Sequence, residues 1–122
     1  MAETPYKVRF YTDVDGVQPA KDFTVSLDYQ MRAKIISMIQ LLQDNGKDLR
    51  EPYSKHLSDG IFELRARWGS DITRVLYFFY VGNDIILTNG FVKKTQKTPP
   101  AEIDKAKRYR ADYLRRKEEA HE

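Results

Sequence analysis

SKHLSDGIFELRARWGSDITRVLYFFYVGNDIILTNGFVKKTQKTPP, residues 54–100, decides the fold of this chain. Inside it three runs, residues 61–68, 72–81 and 85–93, are rich in β-branched and aromatic residues, the types that suit a pleated, half-buried surface. Gly69-Ser70 and Gly82-Asn83-Asp84 separate the runs, and these residues supply positive φ or local side-chain hydrogen bonds in tight turns. The stretch therefore reads as a three-stranded antiparallel meander. Its decoration is cationic, because Arg65, Arg67, Arg74, Lys93, Lys94 and Lys97 fall within the strands or just past them. Such a cluster invites a polyanionic partner even though the net charge of the chain is only +3.

Upstream of the meander, residues 6–11 (YKVRFY) alternate as a half-buried strand does, and this strand pairs with the meander. Residues 13–18 (DVDGVQ) carry turn chemistry, and Pro19 then stands where proline is best tolerated, in the first turn of a helix. Ala20, Phe23 and Leu27 give that helix a short apolar face. Asp28 is an N-cap for a second helix, on which Met31, Ile35, Met38, Ile39 and Leu42 recur at helical spacing up to a stop at Asp44-Asn45-Gly46. This stripe reads as plain core. Residues 47–52 are a polar connector. Downstream, Thr98-Pro99-Pro100 ends the last strand and opens a third helix, with Glu102 and Asp104 favourably placed in its first turn. Ile103, Ala106, Tyr109 or Arg110, and Tyr113-Leu114 form a thin apolar seam on that helix. Lys105, Lys107, Arg108, Arg110, Arg115, Arg116 and Lys117 make the rest of it basic, and residues 118–122 read as a frayed tail.

The expected architecture is a small α+β domain spanning residues 1–122. An antiparallel sheet, made of the N-terminal strand and the meander, carries two N-terminal helices on one face and a C-terminal helix. A chain of 122 residues is a single-domain length, and six Phe, one Trp and eight Tyr supply a core. The absence of cysteine excludes disulfides and thiolate metal sites. The start MAETPYKVRF is not a basic segment followed by an apolar one, and no apolar run approaches the roughly 18 residues of a membrane span. A cytoplasmic setting follows.

The residue set contains no Gly-rich phosphate loop, no His/Cys metal spacing and no nucleophile with an evident base partner. It does contain cations near aromatics, which hold phosphates and stack bases. RNA cleavage needs no cofactor when the 2′-hydroxyl is the nucleophile. The protein must then align that hydroxyl, neutralise the phosphorane and move two protons. Arg suits the second task and His, or a Lys with a lowered pKa, the third. Each candidate has a structural alternative. Arg65 lies two residues from Glu63 on one strand face, as a surface ion pair would. Arg74 lines up with Leu76, Phe78 and Tyr80, where a cation is costly without a partner or a cleft. Lys93-Lys94 could protect a sheet edge. His56 is the only histidine outside the tail.

Taken in order, Leu57-x-x-Gly60-x-x-Glu63-Leu64-Arg65, Arg74-Val75-Leu76-Tyr77-Phe78 and Gly90-Phe91-Val92-Lys93-Lys94-Thr95-Gln96-Lys97-Thr98-Pro99, followed by a helix starting near Glu102-Ile103, resemble the RelE/ParE toxin superfamily, most closely its phage-derived, HigB-type branch. The similarity covers nearly the whole chain and is strongest over residues 57–106. It implies an mRNA interferase acting on translating ribosomes, without metal or other cofactor, and a helix-turn-helix antitoxin encoded nearby. It places Arg74 on the scissile phosphate and Lys94, with Lys93 beside it, as the second catalytic cation. His56 joins them as a catalytic candidate, and Arg65, Arg67, Lys97 and Tyr77 as RNA contacts. Ile61 and Glu63 stand where RelE itself has lysines, and Pro99-Pro100 replaces a tyrosine at the start of the last helix. His56, Lys93 and Tyr77 are then the available general bases. Two alternatives stay open, a ParE-like non-catalytic inhibitor of DNA gyrase and a toxin-derived scaffold that only binds a regulator.

Overall fold

The computed structural model describes residues 6–93 and 97–120. In chain order the elements are β1 (Lys7–Phe10), α1 (Pro19–Ser26), α2 (Tyr29–Asn45), a 3₁₀ turn (Gly46–Asp48), β2 (Ser54–Ser58), β3 (Ile61–Trp68), β4 (Asp71–Tyr80), β5 (Asp84–Lys93) and α3 (Pro100–Ala120). The helix signals act as expected. Pro19 is the first residue of α1, and the Asp28 carboxylate caps α2 by accepting from the Met31 amide at 2.9 Å. Gly46 stops α2 at φ +52°, and a Cβ there would run into the ring of Tyr6. Only glycine satisfies both demands at that position.

The five strands form one sheet in the order β1-β5-β4-β3-β2. The meander β3-β4-β5 is antiparallel, with a register shift between Leu76 and Tyr77. Two features differ from expectation. β1 joins β5 in parallel, so the sheet is mixed. The chain returns to β1 only after two helices and three strands, a connection long enough to allow a parallel neighbour. The connector also contributes a fifth strand, β2, paired with β3. Asp59 and Gly60, at φ +50° and +81°, form the two-residue turn between them, a strong hairpin signal that residues 59 and 60 display openly.

Strand alternation sorts the core into two layers. Leu64, Ala66, Val75, Tyr77, Ile85 and Leu87 face α1 and α2, meeting Met31, Ile35, Met38 and Leu42. Ile61, Leu76, Phe78 and Ile86 face the opposite side, where Ala106 of α3 is buried and Tyr109 and Tyr113 pack against them. α3 is fastened as well as packed. Tyr109 stacks on Tyr11 at 4.8 Å, and the Tyr11 hydroxyl donates to Asp112 at 2.6 Å. Arg116 bonds Asp112 and the Thr12 carbonyl, Lys107 pairs with Asp59 at 3.0 Å, and Arg110 donates to the Asp59 carbonyl. Several cations of this basic helix therefore tie it to the sheet. The helix runs through Ala120, with Arg115 paired to Glu119 at 3.3 Å, and residues 121 and 122 of the expected tail lie outside the described residues. No helix among the described residues is long and apolar enough to cross a membrane.

Candidate functional site

The β3–β4 register sets Arg65 opposite Arg74, Glu63 opposite Leu76 and Arg67 opposite Ile72. Directly opposed residues share a face, so Glu63, Arg65, Arg67 and Arg74 lie together on the side that α3 covers. Two arginines facing each other repel. Glu63 offsets this: it is 0% exposed, and one carboxylate oxygen lies 2.5 Å from Arg65 Nε while the other lies 4.0 Å from Arg74 Nε. Thr98, from the loop ahead of α3, donates its hydroxyl to Glu63, and Arg74 donates to Thr98 Oγ1 at 3.3 Å. Arg74 is 1% exposed. Burial pushes its guanidinium below the ordinary value, Glu63 raises it and Arg65 lowers it further. An arginine keeps its charge against such opposition. The expected Glu63–Arg65 pair is thus made, but with its acid wholly inside the protein.

A cavity of about 460 Å³ opens beside this network, ahead of the start of β2, where β3 runs on past its partner strand. Arg65 and Arg67 of β3, Ile72 and Arg74 of β4, Lys34 and Met38 of α2, and Pro52 and Tyr53 of the connector line it. Four cations converge on this space, with Arg67 and Lys34 exposed and Arg65 partly so. Lys93 ends β5 with its Cα opposite Ile72, one wall of the cavity. Lys97 is exposed next to Thr98. Lys94 lies outside the described residues. Among the described residues, no three His, Cys, Asp or Glu side chains come together as metal ligands.

The other two expected site residues stand elsewhere. His56, on β2, has Phe62 as its Cα partner and meets the Phe62 ring edge-on at 5.0 Å, which places it on the α1–α2 side of the sheet. The sheet therefore lies between His56 and Arg74. His56 Nε2 accepts from the Gly60 amide at 3.1 Å. Tyr77 is 1% exposed, stacked on Phe62 at 5.4 Å and edge-on to Phe79, with its hydroxyl bonded to Ser54. Burial pushes that hydroxyl up to about 12, against the pull of Ser54. Tyr77 is thus almost wholly covered and a poor proton carrier near neutrality. Sequence reasoning passed over Lys34, Tyr53 and the burial of Glu63. Lys34 left a trace, since it lies three residues after Met31 and four before Met38, at the border of the buried stripe.

Fold and site together define a small basic α+β domain that presents a cationic cavity at one side of its sheet. The chain belongs to the family described as Phage derived protein Gp49-like (DUF891), whose model matches residues 22–111. This is a RelE-like toxin family of toxin–antitoxin systems, which implies an antitoxin partner. No curated protein matches the chain.

Proposed function

We propose that the protein is a ribosome-dependent mRNA endoribonuclease of the HigB type, cleaving by attack of a 2′-hydroxyl on the adjacent phosphate without a metal ion. The observation that carries this reading is the convergence of Lys34, Arg65, Arg67 and Arg74 on one cavity in a RelE-like toxin family. Exposed Arg67 and Lys34 would draw the RNA backbone in, and Arg65 and Arg74, held at fixed spacing by Glu63, would meet the charge that builds on the phosphorane. Donors fixed before the reaction stabilise a transition state without reorganising. Lys93, whose Cα stands opposite Ile72, and Lys94, the next residue in sequence, would supply the further cation and the proton transfer. His56 lies on the other side of the sheet and does not share this role.

One observation favours a second reading. A 1%-exposed arginine paired with a buried acid is also what a purely structural ion pair looks like, and a ParE-like inhibitor of DNA gyrase would need no more. Induction of the protein followed by primer extension on a reporter transcript separates the two. The nuclease reading expects cuts at ribosome-bound codons that persist in excess chelator. Chelator-sensitive cuts overturn the metal-free mechanism, and intact mRNA with inhibited gyrase supercoiling moves the function to the second reading.

A further inference from the structure

A second cavity, of about 590 Å³, opens on the other side of the connector that carries Tyr53. Half-buried Phe62 and Phe79 form its apolar wall, with His56 edge-on to Phe62. Exposed Lys47, Arg50 and Lys55 stand round it against a single acid, Glu51. Lys47 Nζ lies 5.8 Å from the Phe79 ring centroid. The two cavities share one strip of chain: residues 52 and 53 border the first, and residues 50, 51, 54 and 55 border the second. Tyr53, 47% exposed, stands on that strip with cations on either side.

We infer that the second cavity binds the nucleotides adjoining the cleavage position of a single-stranded RNA, with Tyr53 stacking a base on the ridge between the two cavities. The inference rests on the RNA-cleaving reading above and extends the substrate from one phosphate to a path across the β2 edge. Polar atoms of the second cavity are largely committed, because Ser54 Oγ and Tyr77 OH bond each other and the Gly60 amide occupies His56 Nε2. Such a surface holds bases by their faces and phosphates by charge, with little reading of base edges, so this part of the site tolerates sequence. An acidic peptide would be drawn by the same cations but has no use for an exposed aromatic plane between them.

Anisotropy titrations of the whole chain with an uncleavable 2′-O-methyl hexanucleotide and the matching dinucleotide test this. The hexanucleotide should bind more tightly than the dinucleotide. Lys47→Ala/Lys55→Ala should lower the slope of log affinity against log salt by about 1.4 for the hexanucleotide, on the basis of about 0.7 per phosphate contact on a single strand, and leave the dinucleotide unchanged. Tyr53→Leu, which keeps bulk but loses the ring, should weaken the hexanucleotide about 10-fold. Length-independent binding, or a salt slope that the lysine pair does not alter, overturns the second cavity while leaving the first intact. A hexaglutamate peptide that competes equally, with Tyr53→Leu silent, makes the strip a protein-docking surface instead. Failure to bind either oligonucleotide overturns this inference, while the ribosome-dependent cleavage reading stands or falls by the primer extension above.

Discussion

Replacing Glu63 by Gln keeps the shape of the side chain while it removes the charge and turns one acceptor oxygen into an N–H donor, so its cost reports the electrostatics and hydrogen bonding of the buried network without opening a void. Glu63 is 0% exposed and serves Arg65 at 2.5 Å, Arg74 at 4.0 Å and the Thr98 hydroxyl. Losing one partner of a buried ion pair costs about 3–5 kcal/mol, since the remaining charge has lost its compensation. Here the loss falls on two arginines that face each other across β3 and β4, so Glu63→Gln is expected to cost at least about 3 kcal/mol. A domain of this length has about 6–18 kcal/mol in total, which makes the loss plain in a urea titration followed by circular dichroism. Adding Arg74→Met should restore much of it, because replacing both ends of a buried pair with packed groups is often neutral or better. The network reading is refuted if Glu63→Gln costs under about 1 kcal/mol and the two changes add within about 0.5 kcal/mol, as independent sites do.

Further outcomes follow from the same geometry. Lys94→Ala should slow mRNA cleavage about 100-fold, the scale of one lost preorganised donor, while Lys117→Ala on the distal turn of α3 leaves it unchanged; primer extension measures both. Burial pushes both Tyr11 and Tyr77 up to about 12, above the ordinary value of about 10. Raised folded values mean stability fully present below about pH 10 and lost as pH climbs through about 12, on the order of 3 kcal/mol for each group, and Tyr77→Phe should flatten that limb in urea midpoints taken across the range. The hydrogen bond from Tyr11, with those from Arg116 and Arg115, holds the Asp112 carboxyl below the usual carboxylate range. Its contribution is present above about pH 4 and fades as pH falls through the folded value, so Asp112→Asn should cost roughly 1–2 kcal/mol near neutrality and less in acid. Stopped-flow association with a cognate antitoxin should slow as salt rises, because exposed cations steer the encounter and are screened; a salt-independent rate would remove that steering.

The sequence by itself determined the local elements. The β-branched and aromatic runs between glycine-bearing turns made β3, β4 and β5, Pro19 and Asp28 opened the two helices, and the Met31–Leu42 stripe marked the buried face of α2. These are short-range effects, set by neighbours within a turn or a pleat, and they are legible wherever the local preferences agree. The Asp59-Gly60 hairpin was equally local and only went unread. The tertiary structure alone decided which side chains meet. Alternation along β3 places Glu63, Arg65 and Arg67 on one face, but only register against β4 sets Arg65 against Arg74, and only the loop bringing Thr98 down makes Glu63 a buried anchor. His56 and Arg74 both looked available to one site, yet the pairing of His56 with Phe62 puts the sheet between them. Lys34 reaches the cationic cavity from a helix remote in sequence from β3 and β4, and Tyr53 from the connector just ahead of β2. Such meetings depend on how layers pack across the chain, and a period of two or 3.6 residues carries no record of the layer that will lie opposite.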